Sequence, residues 1–411
     1  MKRMCCQLDQ AHRMKLLYTA WFFFHFLLTL SQCVAMAVEV PFIPKQVLIF
    51  GGNGFIGSST AERLIEAGHK LTLVSRGNWY WDSASTVMPF VQHIKCNRRE
   101  TMEQCSELKH YVANIEQIDA VIDFSAYYAE TIQESLDLVH RKTKLYIYIS
   151  TDSVYEVCIK NHTGPTLETD AVRPESEEMR KNFESWDSYG HHKLECEEHL
   201  TNFSAGNSAL PFIILRLPDV IGPRDNTNRW WYYQLWMKLK YYLEKDIIVP
   251  KSSENRLMSM VYVKDVADMI QKLVQNSYPN AYFQTFNLAL KETFTLKQFL
   301  ETMRDQLNAT NVSITVEDSP LATRMYPSVK LGPVDTTKAE QILQWVPTKW
   351  ADVLRETCDF YEMAIASHYF INQRSDMIRM LQNYLTTKPN NVYRALRNVY
   401  GLGYPETKDE L

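Results

Sequence analysis

An apolar run, Val47-Leu48-Ile49-Phe50, passes directly into Gly51-Gly52-Asn53-Gly54-Phe55-Ile56-Gly57, and a helical apolar pattern through Leu64 and Ile65 follows. A strand that ends in spaced glycines and continues as a helix can fold in few ways. Glycine permits the tight turn and lets backbone amides approach a phosphate, while the following helix directs the positive end of its dipole at that charge. The seven residues Gly51, Gly52, Asn53, Gly54, Phe55, Ile56 and Gly57 are therefore expected to cradle a dinucleotide.

Further apolar segments at 71–74, 120–124, 145–149 and 212–215 read as strands, with helical patterns between several of them. Strands apolar on both sides require cover on both faces, which predicts an α/β fold with a doubly wound parallel sheet. After Arg216 and Gly222-Pro223 the composition changes, and Trp230, Trp231, Tyr232, Tyr233, Trp236, Tyr241 and Tyr242 crowd together. Such density predicts packing, with a substrate cleft beside it. The expected organisation is a leader over 1–37, a dinucleotide-binding Rossmann domain over 38–215, an interleaved smaller α/β substrate domain over 216–350, and a helical tail over 351–411. The acidic stretch 168–187 reads as a solvated loop.

Both termini read as addresses. Lys2, Arg3, Arg13 and Lys15 precede an apolar stretch at 16–30, followed by Ala35-Met36-Ala37, the layout of a secretory signal peptide, with an uncleaved anchor as the alternative. The apolar stretch is short for a membrane span, which needs about 20 residues. Lys408-Asp409-Glu410-Leu411 is a retrieval signal of the endoplasmic reticulum. Location in that lumen, with the retrieval receptor as a partner, is the expectation. Sequons at Asn161, Asn202, Asn308 and Asn311 are expected on surface loops. Past the proposed cleavage site, Cys96, Cys105, Cys158, Cys196 and Cys358 form no even framework; a Cys96–Cys105 bridge with buried thiols elsewhere is the expected state. No cysteine or histidine spacing suggests zinc. A net charge of −4 supplies no basic field for DNA.

Ser150-Thr151-Asp152-Ser153-Val154-Tyr155 follows a strand, which places its side chains at the carboxyl edge of the sheet, where doubly wound folds bind ligands. Tyr189 and Lys193 are four apart, so they share one face of a helix, and a lysine ammonium there is expected to lower the tyrosine pKa for acid–base work on a hydroxyl. With these motifs in this order, residues 45 to 361 resemble the extended short-chain dehydrogenase/reductase superfamily, in its NAD(P)-dependent epimerase/dehydratase branch. The resemblance implies Gly51, Gly54 and Gly57 as cofactor glycines, Thr151 as the active-site hydroxyl, Tyr189 as catalytic base and Lys193 as its partner, with Ala126 and Lys193 along the cofactor. It also implies a small-molecule substrate, most simply a sugar or sugar-nucleotide, and a homodimer packed through the helix carrying Tyr189.

Several residues depart from that pattern. Thr151-Asp152-Ser153 is similar to the Thr-Asp-Glu of nucleotide-sugar dehydratases, yet Ser153 cannot act as the base at neutral pH. Asp152 is left as either a proton donor or a loop cap. Asp219 stands where asparagine is usual, and Met258 stands where many relatives hold a diphosphate-binding arginine, with Arg256 two residues earlier. Ser75 and Arg76 end the second strand where an NAD enzyme normally has an acid, which favours NADP over NAD. Asn97 takes the place of an aspartate facing adenine, and Arg98 is read as solvated. Alternatives to an epimerase or dehydratase are a reductase of another carbonyl or alcohol, a silent dinucleotide- or RNA-binding member of the fold, and a lumenal chaperone.

Overall fold

The computed structural model describes residues 42–403 other than 209, 244, 387 and 389. The leader at 1–37 and the retrieval motif lie outside the described residues. Among the described residues eleven strands form: β1 (Gln46–Phe50), β2 (Lys70–Ser75), β3 (Gln92–Lys95), β4 (Ala120–Asp123), β5 (Tyr146–Thr151), β6 (Phe212–Leu217), β7 (Asp219–Ile221), β8 (Ile247–Pro250), β9 (Met260–Tyr262), β10 (Gln284–Asn287) and β11 (Ile314–Glu317). Seven of them make one parallel sheet in the order β10-β6-β5-β4-β1-β2-β3. Chain order reverses at β1, which has β2 on one side and β4 on the other, and the resulting crevice at the carboxyl ends of the strands is where a ligand fits.

Alternate residues of β1 feed opposite faces: Val47 and Ile49 join one buried cluster, Leu48 and Phe50 the other. This two-sided burial is why the central strands read as unbroken apolar runs. The edges β3 and β10 gave no such signal, because Gln92, Lys95 and Gln284 face outward and few apolar residues remain.

A second core gathers around the helix Arg229–Leu243, whose Trp230, Trp231, Tyr232, Tyr233 and Trp236 are fully buried. The C-terminal helices Trp350–Ala366, Ile371–Leu385 and Asn390–Tyr400 supply Tyr361, Met377, Leu381 and Leu396 to the same core. Trp81, from the connection after β2, also enters it, packing on Trp231, Phe360 and Phe370 with ring centroids 5.2–5.6 Å apart.

The stretch 168–187 is not a simple loop. It contains the helix Glu177–Trp186, started by Ser176, whose side chain accepts from the Met179 amide. None of that helix's residues is buried; Met179, Phe183 and Trp186 form only a short, largely exposed apolar stripe, and the Ser176 cap and acidic first-turn residues set its start. Asp187 then caps the next helix, Ser188–Phe203, accepting from the Gly190 amide at 2.7 Å. Cys96 and Cys105 are disulfide-bonded, and Cys158, Cys196 and Cys358 are buried thiols. All four sequon asparagines are exposed, but Asn202 lies on the helix Ser188–Phe203 instead of a loop.

Candidate active site

A cleft of about 1330 Å³ runs along the carboxyl edge of the sheet, from the glycine loop to the start of the aromatic helix. Gly51, at φ +79°, makes the turn out of β1. A side chain on Gly57 would sit 2.3 Å from the Gly51 carbonyl, so glycine is required for the first helix to approach the loop. That helix, Phe55–Glu66, has neither a side-chain cap nor an acidic residue in its first turn, leaving its N-terminus available to an anion. Gly51, Asn53, Gly54, Phe55, Ile56 and Gly57 line the cleft. Gly52 does not: a side chain there would meet Leu73 at 2.7 Å, so its smallness serves sheet packing. A dinucleotide fits this cradle.

At the far end of the loop, Arg76 is exposed on the cleft wall and Ser75 lies just beneath. The Ser75 hydroxyl accepts from the Gly77 amide at 3.2 Å and shares a hydrogen with His93 Nε2 at 2.9 Å. Asn97 lines the same wall but spends its amide group on Glu100 at 2.8 Å.

Arg98 is not solvated. Its guanidinium forms a two-armed ion pair with the fully buried Asp123 at 2.7 and 2.9 Å, and also donates to Ser125 and Ser135. Burial alone would raise the Asp123 carboxyl, but Arg98 beside it and the Tyr146 hydroxyl hold it below the ordinary range. Asp123 in turn accepts from the Ser125 and Ala126 amides, fixing the cleft floor. Ala126 lies behind that floor, fully buried, with its amide on Asp123 and its carbonyl accepting from Lys193 and Tyr148, so it supports the floor and does not itself line the cleft.

Thr151, Asp152, Tyr189 and Lys193 line the same cleft, Thr151 beside Asp152 and Tyr189 one turn before Lys193 on the helix Ser188–Phe203. Gly190 makes this possible: a side chain there would lie 2.1 Å from the Ser153 carbonyl, so only glycine lets the helix bearing Tyr189 approach the end of β5. Lys193 Nζ donates to the carbonyls of Ile149 at 2.6 Å and Ala126 at 3.1 Å and lies 4.2 Å from the Tyr148 ring centre. Burial brings its pKa down to about 8. Tyr189 differs from expectation. Nearly half its surface is accessible, but that surface opens into the cleft; this enclosure raises the phenol pKa, with Tyr127 and Asp152 adding to the rise and Thr151 opposing it. Lys193 is held by backbone and does not by itself bring the phenol down.

Asp152 caps nothing; the cap after β5 is Thr151, whose hydroxyl accepts from the Ser153 amide at 3.2 Å and donates to Asp152 at 3.3 Å. Burial pushes the Asp152 carboxyl well above the carboxylate range, and Asp219 and Glu156 add repulsion against its ionisation. Ionisation of Asp152 is thus disfavoured, and its protonated form can donate a proton. A raised folded pKa gives a contribution fully present below the unfolded value and lost as pH rises through the folded one. Asp152→Asn, which carries no such penalty, is expected to raise the melting temperature relative to the parent at pH 8 and to leave it nearly unchanged at pH 4, read by thermal unfolding.

One further residue had no sequence signal. Glu197, one helical turn beyond Lys193, accepts from Ser150 at 2.5 Å and pairs with buried Arg216 at 2.6 Å, locking the tyrosine helix onto β5 and β6. Asp219 pairs with Arg229 and accepts from the Ser328 amide at 3.0 Å. Met258 is buried, and neither it nor Arg256 lines the cleft.

A glycine cradle at the switch point of a parallel sheet, in one cleft with a threonine, a tyrosine and a buried lysine, makes a site that fits a dinucleotide beside acid–base side chains. Residues 47–289 match the profile of the NAD dependent epimerase/dehydratase family, and the chain belongs to that family. Among curated relatives it is 25% identical over 258 residues to a chloroplast stem-loop binding protein of 41 kDa from Arabidopsis thaliana, covering 60% of this chain and 58% of that one. It is 24% identical over 187 residues to a decarboxylating sterol-4-alpha-carboxylate 3-dehydrogenase from Dictyostelium discoideum, covering 44% and 55%. The match thus spans little more than half of each relative. Among solved structures, UDP-glucose 4-epimerase from Thermotoga maritima shares the fold at TM-score 0.60 and 18% identity, covering 78% of this chain and 99% of that one. UDP-glucuronic acid 4-epimerase from Bacillus cereus does so at TM-score 0.58 and 20% identity, covering 77% and 99%.

Proposed function

We propose that this chain is an NADP-preferring oxidoreductase of the endoplasmic reticulum lumen that moves a hydride to or from a hydroxyl-bearing carbon of a sugar-type substrate. The placement of Thr151, Tyr189 and Lys193 in one cleft with the glycine loop carries this reading. A bound nicotinamide dinucleotide supplies the hydride donor or acceptor. Tyr189 takes or returns the hydroxyl proton, Thr151 orients the oxygen, and Lys193 adds positive charge that favours tyrosinate as the cleft fills. Asp152 offers a proton to the substrate. With Ser153 where an eliminating enzyme needs a base, oxidation–reduction or epimerisation is favoured over loss of water.

Arg76, exposed on the wall with no carboxylate at the end of β2, supports NADP, because a guanidinium pairs with a 2′-phosphate that a carboxylate would repel. The disulfide and the four exposed sequons support a lumenal setting. Thermal shifts with NAD, NADH, NADP and NADPH test the cofactor assignment, since native-state binding raises the melting temperature. The NADP pair is expected to give the larger shift, and Arg76→Glu to weaken NADP binding by roughly 10–100-fold, the loss of a charge-assisted contact plus a repulsion. Equal shifts with NAD and NADP would remove the preference.

A further inference from the structure

We propose that the substrate is a hydroxyl-rich compound without a nucleoside diphosphate, an inference that rests on the reading of the cleft above. A diphosphate carries two negative charges and requires cations or free amide donors where it lies. The cleft end beyond Tyr189 offers the opposite. Its lining includes the carboxylates of Asp219 and Asp225, and the described cation beside them is Arg229.

Arg229 is already engaged. It pairs with Asp219, donates from Nε to Thr227 at 3.0 Å, and lies 4.5 Å from the centre of the Tyr326 ring. Asp219 is buried and is held further by the Ser328 amide and hydroxyl. Drawing Arg229 onto a phosphate would strand that carboxylate in a site with little water, at a cost comparable with breaking a buried ion pair. The turn leading into the aromatic helix is closed in the same way: Asp225 is fully buried and accepts from the Thr227 amide at 2.8 Å and its hydroxyl at 2.7 Å. A phosphate arriving there meets carboxylates where it needs donors.

Neutral hydroxyls suit this lining. Asn226 and Ser188 line the same end and offer both donors and acceptors, and carboxylates accept readily from sugar hydroxyls. The same carboxylates disfavour other anionic substrates.

Full-length protein saturated with NADP is titrated calorimetrically with UDP and UDP-glucose, and with methyl glucoside and myo-inositol as neutral probes. UDP and UDP-glucose are expected to show no binding at about 1 mM, whereas at least one neutral probe binds or supports cofactor reduction. Asp219→Asn releases Arg229 and is expected to gain UDP affinity by about tenfold or more over the parent. Tight UDP binding or UDP-glucose turnover by the parent overturns the inference, and an Asp219→Asn protein that folds but gains no UDP affinity overturns the role of the Asp219–Arg229 pair. Failure to bind any dinucleotide would overturn the underlying reading of the cleft, a separate result from UDP binding by NADP-loaded protein.

Discussion

Tyr189→Phe is expected to lower turnover by ~10²–10⁴-fold while dinucleotide affinity stays within about twofold of the parent, because the substitution removes one proton-carrying oxygen and nothing from the glycine cradle. The check is a pair of measurements on one preparation: steady-state cofactor reduction with a substrate accepted by the parent, and cofactor titration by fluorescence or calorimetry. Unchanged turnover would exclude Tyr189 as the acid–base group. The phenol stands above its ordinary pKa in the structure, so parent activity is expected to rise on the alkaline side and that rise to vanish in the variant. Lys193, brought down to about 8 by burial, carries its charge only below that limb, so Lys193→Met is expected to lower activity near neutrality and to leave the alkaline limb in place.

The second large effect is on stability. Arg98→Ala leaves Asp123 buried without its counter-charge, and uncompensated charges of this kind cost about 3–5 kcal/mol. The native Asp123 carboxyl is held below its ordinary value, so its contribution is present above the unfolded carboxylate pKa and is lost as pH falls through the depressed value. The deficit of Arg98→Ala is thus expected to be largest near neutrality and to shrink in acid, as read by denaturant unfolding at several pH values. An Arg98→Ala, Asp123→Ala double variant should recover part of the loss, because the stranded charge is gone.

These two residues mark the limit of what the sequence revealed. The glycine loop, Thr151, Tyr189 and Lys193 were legible because each depends on local order: a strand, a turn, or two positions four apart on one helix face. Arg98 was read as solvated because its partner lies 25 positions away across the sheet, and no local pattern reports such a contact. Gly190 and Glu197 stayed silent for the same reason, their roles being set by how closely the tyrosine helix approaches β5 and β6. The helix Glu177–Trp186 escaped because its three apolar residues, Met179, Phe183 and Trp186, are few among charged ones and none is buried. Tyr189 shows the opposite failure. Its place on one helix face with Lys193 follows from spacing, but the direction of its pKa shift is set by enclosure in the cleft and not by the neighbour four residues along.

The bridge between Cys96 and Cys105 encloses Asn97, Arg98 and Arg99, all of which line the cleft. Closing a ring of this size restricts the unfolded chain by roughly 2–3 kcal/mol, so much of the ordering of that wall is completed during folding and is not required when a ligand arrives. Capture of a dinucleotide along this side is therefore expected to approach simple docking, with a fast single-step association. A reducing environment would return the segment's freedom and convert the same encounter into a slower, loop-ordering one, making the rate of cofactor loading a reporter of the thiol balance around the protein.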